Sequence, residues 1–274
     1  MDFDAAAVRH FEHAGWQQAA GDYNATFAQA SREFIEPLLD AVAVAPGMPL
    51  LDVCCGTGLV TEAALRRGAA ARGVDFSAAM LGEARRSNPK IAFNEGDAED
   101  LPYPDAAFAA VVANFGIHHV PRPQKAVAEM LRVLRPGGRM AFTAWASSTV
   151  NIAWRLLFDA IAMRGDRAAA KAPPSGGNLG SEAAVAGLLT EAGFAEVGVA
   201  TLRRYWLLAA PCDLIQALAR GTVRTAALIA AQPTEALPAI EEAVVAAAAP
   251  YRRDDGNFAV PIAAILGVGA KLRG

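Results

Sequence analysis

The sequence predicts an α/β fold built on a doubly wound parallel sheet, and three features lead to it. Apolar runs bounded by turn residues alternate with helical stretches across residues 49–145, the βαβ rhythm of a parallel sheet. Leu50-Leu51-Asp52-Val53-Cys54-Cys55-Gly56-Thr57-Gly58-Leu59-Val60 reads as an apolar strand and a glycine turn that opens a helix, and Gly73-Val74-Asp75 as a second strand ending in a carboxylate. With 274 residues, 54% hydrophobic and 19% charged, the chain can bury a full core and is not composed like a disordered segment.

Residues 1–45 read as helical, with Phe11, Trp16, Phe27, Phe34, Ile35, Leu38 and Leu39 as an intermittent apolar face, and Pro46-Gly47 ends the region. Strands are expected at 50–54, 71–75, 91–94, 108–114 and 138–145, with helices at 59–67, 77–86 and 123–134 between them. Right-handed crossovers put the helices on both faces and gather the neighbourhoods of Gly56, Asp75, Asp97 and Asn114 along the carboxyl edge of the sheet. Beyond Trp145, residues 149–163 read as an amphipathic helix and Pro173-Pro174-Ser175-Gly176-Gly177 as a loop. Ser181 caps a helix that stops at Gly193, and 195–207 alternates as a strand. Residues 211–249 are helical and alanine-rich, and 258–271 forms a last, antiparallel strand with Pro261 near its start.

The glycine turn carries the first chemical signal. Gly56 and Gly58 leave no Cβ between the turn and a ligand, so a cofactor can lie against backbone N–H groups at a helix N-terminus. Asp75 ends the next strand, where a carboxylate accepts hydrogen bonds from a ribose diol. A G-x-G-x-x-G dinucleotide fingerprint needs a third glycine at position 61, and that position is Thr61. The pattern points to an adenosine-containing cofactor.

Asp52-Val53-Cys54-Cys55-Gly56-Thr57-Gly58 resembles the first motif of class I S-adenosylmethionine-dependent methyltransferases, and the segment from Gly73 through Asp75, Phe76 and Met80 is similar to the one that follows it. Asn94-Glu95-Gly96-Asp97-Ala98-Glu99-Asp100-Leu101-Pro102 resembles the family's adenine-binding segment. Residues 108–119 and 131–139 resemble its fourth strand and the turn before its fifth. The series stands in family order over residues 50–145, and the nearest subgroup includes the ubiquinone and menaquinone C-methyltransferases and many small-molecule methyltransferases. One departure is Cys54, where many members have glycine, which implies a slightly displaced turn.

The resemblance implies a seven-stranded, mostly parallel sheet of order 3-2-1-4-5-7-6 with helices on both faces and a helical cap. It divides a single domain, 1–274, into an N-terminal cap (1–45), a cofactor-binding core (46–148), substrate-side insertions (149–180 and 211–255) and the remaining core elements (181–210 and 256–274). It also implies S-adenosyl-L-methionine as cofactor. Asp75 would take the ribose hydroxyls, Phe76 and Met80 would flank the adenine, and Asp97 and the Ala98 N–H would read its edge. Asp52, Cys55, Gly56 and Gly58 would shape the turn and the methionyl end, Asn114 and Phe115 would close it from the fourth strand, and Tyr23 with Trp16 would cover it. His118 and His119, after the fourth strand, are candidate proton acceptors. His10 and His13 read as solvent-facing.

The expected activity is methyl transfer by in-line displacement to an O, N or C nucleophile of a small, apolar or aromatic metabolite. Trp145, Trp154, Leu157, Phe158, Trp206, Leu214 and Leu218 are compatible with a pocket for such a molecule, and each taken singly reads first as core. A net charge of −3 without a basic stripe gives no reason to expect a nucleic-acid partner. The first residues lack signal-peptide character and no apolar run approaches a bilayer span, so the cytoplasm is the expected location. The three cysteines make neither a disulfide framework nor a zinc spacing, and no metal is expected. Two alternatives stay open at this stage: a nicotinamide-dependent oxidoreductase, disfavoured by Thr61 and by the lack of a Tyr-x-x-x-Lys dyad, and a non-catalytic cofactor-binding protein.

Overall fold

The computed structural model describes residues 3–273; the outermost ends of the expected cap (1–45) and of the last segment (256–274) lie outside the described residues. Three helices, α1 (Ala5–Tyr23), α2 (Ala28–Arg32) and α3 (Ile35–Ala41), precede the sheet. Asp4 starts α1 by accepting the Ala6 and Ala7 N–H groups, which would otherwise be left unpaired at the helix start. The βα alternation then runs β1 (Pro49–Val53), α4 (Leu59–Arg66), β2 (Ala70–Asp75), α5 (Ala78–Ser87), β3 (Phe93–Glu95), β4 (Phe108–Asn114), α6 (Pro123–Val133) and β5 (Leu134–Trp145). The second half comprises α7 (Ile152–Arg164), α8 (Glu182–Glu191), β6 (Ala195–Leu208), α9 (Cys212–Gly221), α10 (Arg224–Ala230), α11 (Leu237–Ala248) and β7 (Phe258–Ala270).

The seven strands form one sheet of order β3-β2-β1-β4-β5-β7-β6, as the resemblance implies. β1 to β5 pair in parallel, and β7 runs antiparallel between β5 and β6. The strands of the parallel half are nearly uniform in apolar character because helices cover both faces: Leu50, Leu51, Val53, Val111, Val112 and Phe142 are all fully buried.

Several boundaries move for local reasons. β3 begins at Phe93, not at 91, because Ile91 closes a turn onto the Asn88 carbonyl at 3.1 Å. β5 starts at Leu134 because Leu134 pairs with Phe108 before a bulge restores register at Ala110–Arg139. The 211–249 region divides into three helices: Thr222, with φ −127° and ψ 169°, ends α9, and Pro233 precedes the turn into α11.

Buried apolar side chains among the described residues gather in four clusters, two of which bear on the expectations above. One lies under α6 and α8 around Val111, Met130, Met140 and Phe142. The other joins α2, α7, α9 and α11 around Phe34, Leu157, Trp206, Leu214 and Leu218. The second cluster takes up most of the aromatic and apolar residues after the fifth strand as core. Leu157, Trp206, Leu214 and Leu218 have no more than 1% exposure and hold the helices of residues 149–255 onto the sheet.

The turn after β1 is fixed by backbone geometry. Cys54, Gly56 and Gly58 all have positive φ (55°, 53° and 82°), a region that costs a side-chain-bearing residue about 1–2 kcal/mol. Cys54 adopts the left-handed conformation that glycine takes more easily. At Gly58 a Cβ would lie 2.6 Å from the Phe93 ring, whereas at Gly56 it would meet nothing within 4 Å. Gly58→Ala should destabilise the protein by about 3 kcal/mol, combining backbone strain with overpacking, while Gly56→Ala should cost only the strain of about 1–2 kcal/mol. Urea denaturation of the two variants checks this ordering.

Candidate active site

β1, β2, β4 and the turns that follow them end on one edge of the sheet, and α1 lies across it. The resulting cleft encloses about 840 Å3 and is bounded by the β1 turn at Cys54 and Gly56, by Asp75, Phe76 and Met80, by Gly96, Asp97 and Ala98, and by Asn114, Phe115 and His119. Arg9, Trp16, Tyr23 and Phe27 close it from the N-terminal helices, and Trp145 from β5. A smaller space of about 330 Å3 adjoins it at the glycine turn, lined by Asp52, Cys55, Gly56, Thr57, Tyr23 and Ser31 among others.

Asp75 is buried at the end of β2. Its Oδ2 accepts the Gly56 N–H at 2.8 Å and its Oδ1 the Ser77 N–H at 2.9 Å. Burial pushes its pKa up to about 6, against the lowering effect of those N–H donors. A carboxylate oxygen can accept more than one hydrogen bond, so acceptor capacity toward the cleft remains. Asp52 lies deeper. Thr61 donates both its N–H (3.0 Å) and its hydroxyl (2.6 Å) to Oδ2. Oδ1 is buried with no hydrogen-bond partner, and desolvation lifts the pKa to about 7. Thr61 thus holds the carboxylate where a dinucleotide fingerprint would have its third glycine.

Asp97 accepts the Glu99 N–H at 2.9 Å, as a turn-forming aspartate does, and its other oxygen pairs with Arg9. Arg9 also lies 3.3 Å from Glu99. Asn114 is occupied on both sides: its amide donates to the Ser31 carbonyl at 3.1 Å and its carbonyl accepts the Thr143 hydroxyl at 2.7 Å. Phe115, with φ 58°, stacks on Trp145 at 3.7 Å between ring centroids and 8° between planes. Tyr23 bonds the Ser31 hydroxyl at 3.0 Å, and burial raises its pKa.

The structure therefore brings Tyr23, Asp52, Cys55, Gly56, Asp75, Phe76, Met80, Asp97, Ala98, Asn114 and Phe115 to the two adjoining spaces, with Trp16. Gly58 lines neither: the freedom it supplies accommodates Phe93, not a ligand. The histidines separate. His119 faces the cleft, while His118 is not among its walls and burial holds its pKa well below the ordinary imidazole value. His13 is half-buried and packs edge-on against Phe76 at 5.3 Å, contrary to a solvent-facing reading; His10 is exposed.

Residues that sequence reasoning passed over tie α1 down. Glu12 is fully buried, 2.8 Å from His119 Nδ1 and 2.6 Å from Arg224 Nε. Gln17 accepts from Ser77 Oγ and Ala79 N, both at 2.7 Å, and Asn24 accepts from Thr57 at 2.7 Å. A signal for Glu12 was present: it follows Val8 by one helical turn on the face that also buries Ala19, so a carboxylate sits on an apolar stripe.

Both buried aspartates bind protons more readily in the folded chain than in the unfolded one, whose aspartates titrate at about 3.9. The stability these two groups contribute is then fully present below that value and is lost as pH rises through about 7 for Asp52 and about 6 for Asp75. Denaturation at pH 5 and pH 8 should show lower stability at pH 8. Asp52→Asn should flatten the slope by up to about 1.4 kcal/mol per pH unit.

Comparison with known proteins agrees with this geometry. A family model described as a methyltransferase domain matches residues 51–142. A demethylmenaquinone methyltransferase of Renibacterium salmoninarum is 40% identical over 119 residues, covering 43% of this chain and 50% of that protein. A second one, of Paenarthrobacter aurescens, is 37% identical over 134 residues, covering 49% and 53%. The chain thus spans about half the length of the curated relatives it matches. Among solved structures, the YcgJ protein of Bacillus subtilis superposes with a TM-score of 0.56 at 17% identity, over 88% of this chain and 99% of that one, a likeness of fold. No helix among the described residues is long and apolar enough to cross a membrane.

Proposed function

We propose, on the premise that the chain carries a class I S-adenosylmethionine-dependent methyltransferase domain, that it transfers a methyl group from S-adenosyl-L-methionine to an O, N or C nucleophile of a small, flat, largely apolar molecule. The observation that carries the reading is the pairing of two buried carboxylates along one sheet edge, Asp75 facing the large cleft and Asp52 the small one with an unsatisfied oxygen. That combination fits a ligand with a ribose diol at one point and a cationic amino group at another.

In this reading Asp75 accepts the ribose hydroxyls. Phe76 and Met80 flank the adenine, and Asp97 with the Ala98 N–H reads its edge. Asp52 Oδ1, through the small space beside Gly56 and Cys55, provides the counter-charge for the amino group, and Tyr23, Asn114 and Phe115 close that end. When bound, S-adenosylmethionine supplies a methyl carbon already activated by its sulfonium. The protein's own task is then to orient the acceptor in line, exclude water and take up a proton where the acceptor has one to lose.

The acceptor side is formed by the stacked Phe115–Trp145 pair with Phe27, whose ring lies 5.6 Å from Trp145. These rings favour a planar, apolar acceptor. An aromatic ring of the type named by demethylmenaquinone, from which the Renibacterium relative takes its name, matches that wall. A soluble, cytoplasmic small-molecule enzyme with no nucleic-acid partner fits this reading.

Calorimetry with S-adenosylhomocysteine and with NAD tests it. Saturable binding of the former alone is expected, and Asp75→Ala should weaken it by about 1.5–3 kcal/mol, the worth of a charged hydrogen bond. Affinity for NAD in place of S-adenosylhomocysteine would reverse the reading.

A further inference from the structure

We propose that Glu12 and His119 form a carboxylate–imidazole pair, with Arg224 as the counter-charge of Glu12, that takes the acidic proton of the methyl acceptor. The inference rests on the methyl-transfer reading and deepens it by assigning the base and two positioning residues. Three elements far apart in sequence build the pair: Glu12 from α1, His119 from the 3-10 turn Ile117–His119 that follows β4, and Arg224 from the start of α10.

The geometry distinguishes His119 from its neighbour. Its Nδ1 lies 2.8 Å from Glu12 Oε2, and a carboxylate there requires the Nδ1–H tautomer, which leaves Nε2 with its lone pair. Trp16 packs perpendicular to the ring at 5.0 Å and fixes its plane, while His119 itself forms part of the cleft wall. His118 lies 4.1 Å away ring to ring, outside that wall and with its Nδ1 unpartnered.

Glu12 is fully buried, so its charge must be compensated. Burial works to raise its pKa, but the neighbouring His119 and Arg224 outweigh that effect, and the carboxyl lies below its ordinary value. Arg224 places a permanent positive charge 2.6 Å from the carboxylate, so Glu12 has a counter-charge besides His119. A purely structural ion pair would need only Glu12 and Arg224. The third member, turned toward the cleft, is the one that chemistry explains.

In the proposed step the acceptor's acidic proton passes to Nε2 of His119, and the electron pair it leaves on the acceptor supports the new bond to the methyl carbon. The electron pair of the broken carbon–sulfur bond leaves with sulfur as a neutral thioether, and the imidazolium, held by Glu12, returns its proton to water. His119 is the catalytic residue, and Glu12 and Arg224 are positioning residues.

The test combines nitrogen-15 NMR of histidine-labelled protein with calorimetry and a transfer assay using methyl-labelled cofactor and 1,4-dihydroxynaphthalene as probe acceptor. The wild-type protein should show His119 as the Nδ1–H tautomer. Glu12→Leu should shift it toward Nε2–H, and Glu12→Gln, whose amide carbonyl can still accept from Nδ1, should retain it. His119→Asn and Glu12→Leu should reduce turnover on the order of 10²–10⁴-fold with S-adenosylhomocysteine affinity unchanged, and Glu12→Gln should recover part of the loss. An Nε2–H tautomer in the wild-type protein, a measurement that needs no variant, would overturn the pair while leaving the methyl-transfer reading intact, as would wild-type turnover by His119→Asn. Absence of S-adenosylhomocysteine affinity in the wild-type protein would overturn both.

Discussion

The turn between β1 and α4 is held by two buried aspartates, and the rest of the site takes its position from it. Asp52 reaches forward to the first turn of α4 through Thr61, and Asp75 reaches across from β2 to the Gly56 N–H. Each carboxylate is pinned by N–H groups that a strand-to-helix turn would otherwise leave unpaired. The sheet edge thereby acquires a fixed crevice floor with two acceptors that cannot be screened by solvent. Desolvation raises the pKa of both, a cost carried by the rest of the fold and recovered only when a cation or a donor-rich ligand meets them.

The reach of that constraint explains why some of the fold was readable in the sequence and some was not. β4 was expected at 108–114 and forms Phe108–Asn114, because a strand buried on both faces must be continuously apolar and its end is marked by a polar residue. The strand–turn–carboxylate arrangement was readable for the same reason: local sterics and periodicity determine it. Gly58 was misread because a positive φ and the absence of a Cβ look alike in sequence, whether the neighbour is a ligand or the ring of Phe93, 35 residues further along. Such a contact is set by packing between β2, β3 and the turn, which no local pattern records.

The pairing of Glu12, His119 and Arg224 was invisible for a similar reason. Glu12 on an apolar stripe and His119 after the fourth strand each carried a local signal, but only the crossing of α1 over the sheet edge brings them together with Arg224. The same crossing joins α1 to Ser77 and Ala79 through Gln17, and the chain just after it to Thr57 through Asn24. The helix region is thus attached to the turns that follow β1, β2 and β4, three of those that bound the cleft. The aromatic and apolar residues that composition suggested for a pocket were divided by the fold: Trp145 reached the cleft, while Trp206 and Leu157 went to the core that holds α7 and α9 in place.

These attachments are of unequal strength, and the difference bears on how a nucleoside could enter beneath α1. The Glu12 pair is buried, so breaking it would strand a charge away from water at a cost of about 3–5 kcal/mol. The Arg9–Asp97 pair has side chains 33% and 35% exposed, and contacts of that kind are worth about 0–1 kcal/mol. Arg9 has a second carboxylate within reach, since Glu99 lies 3.3 Å away and is only 3% exposed. Releasing Asp97 therefore does not leave Arg9 without a partner. Arg9 and Glu12 stand less than one turn apart on α1, so the contact nearest the proposed adenine site is the one that opens at least cost, while the buried contact to His119 beside it stays closed. An adenine edge can replace Arg9 on Asp97 without disturbing the geometry on which proton transfer would depend.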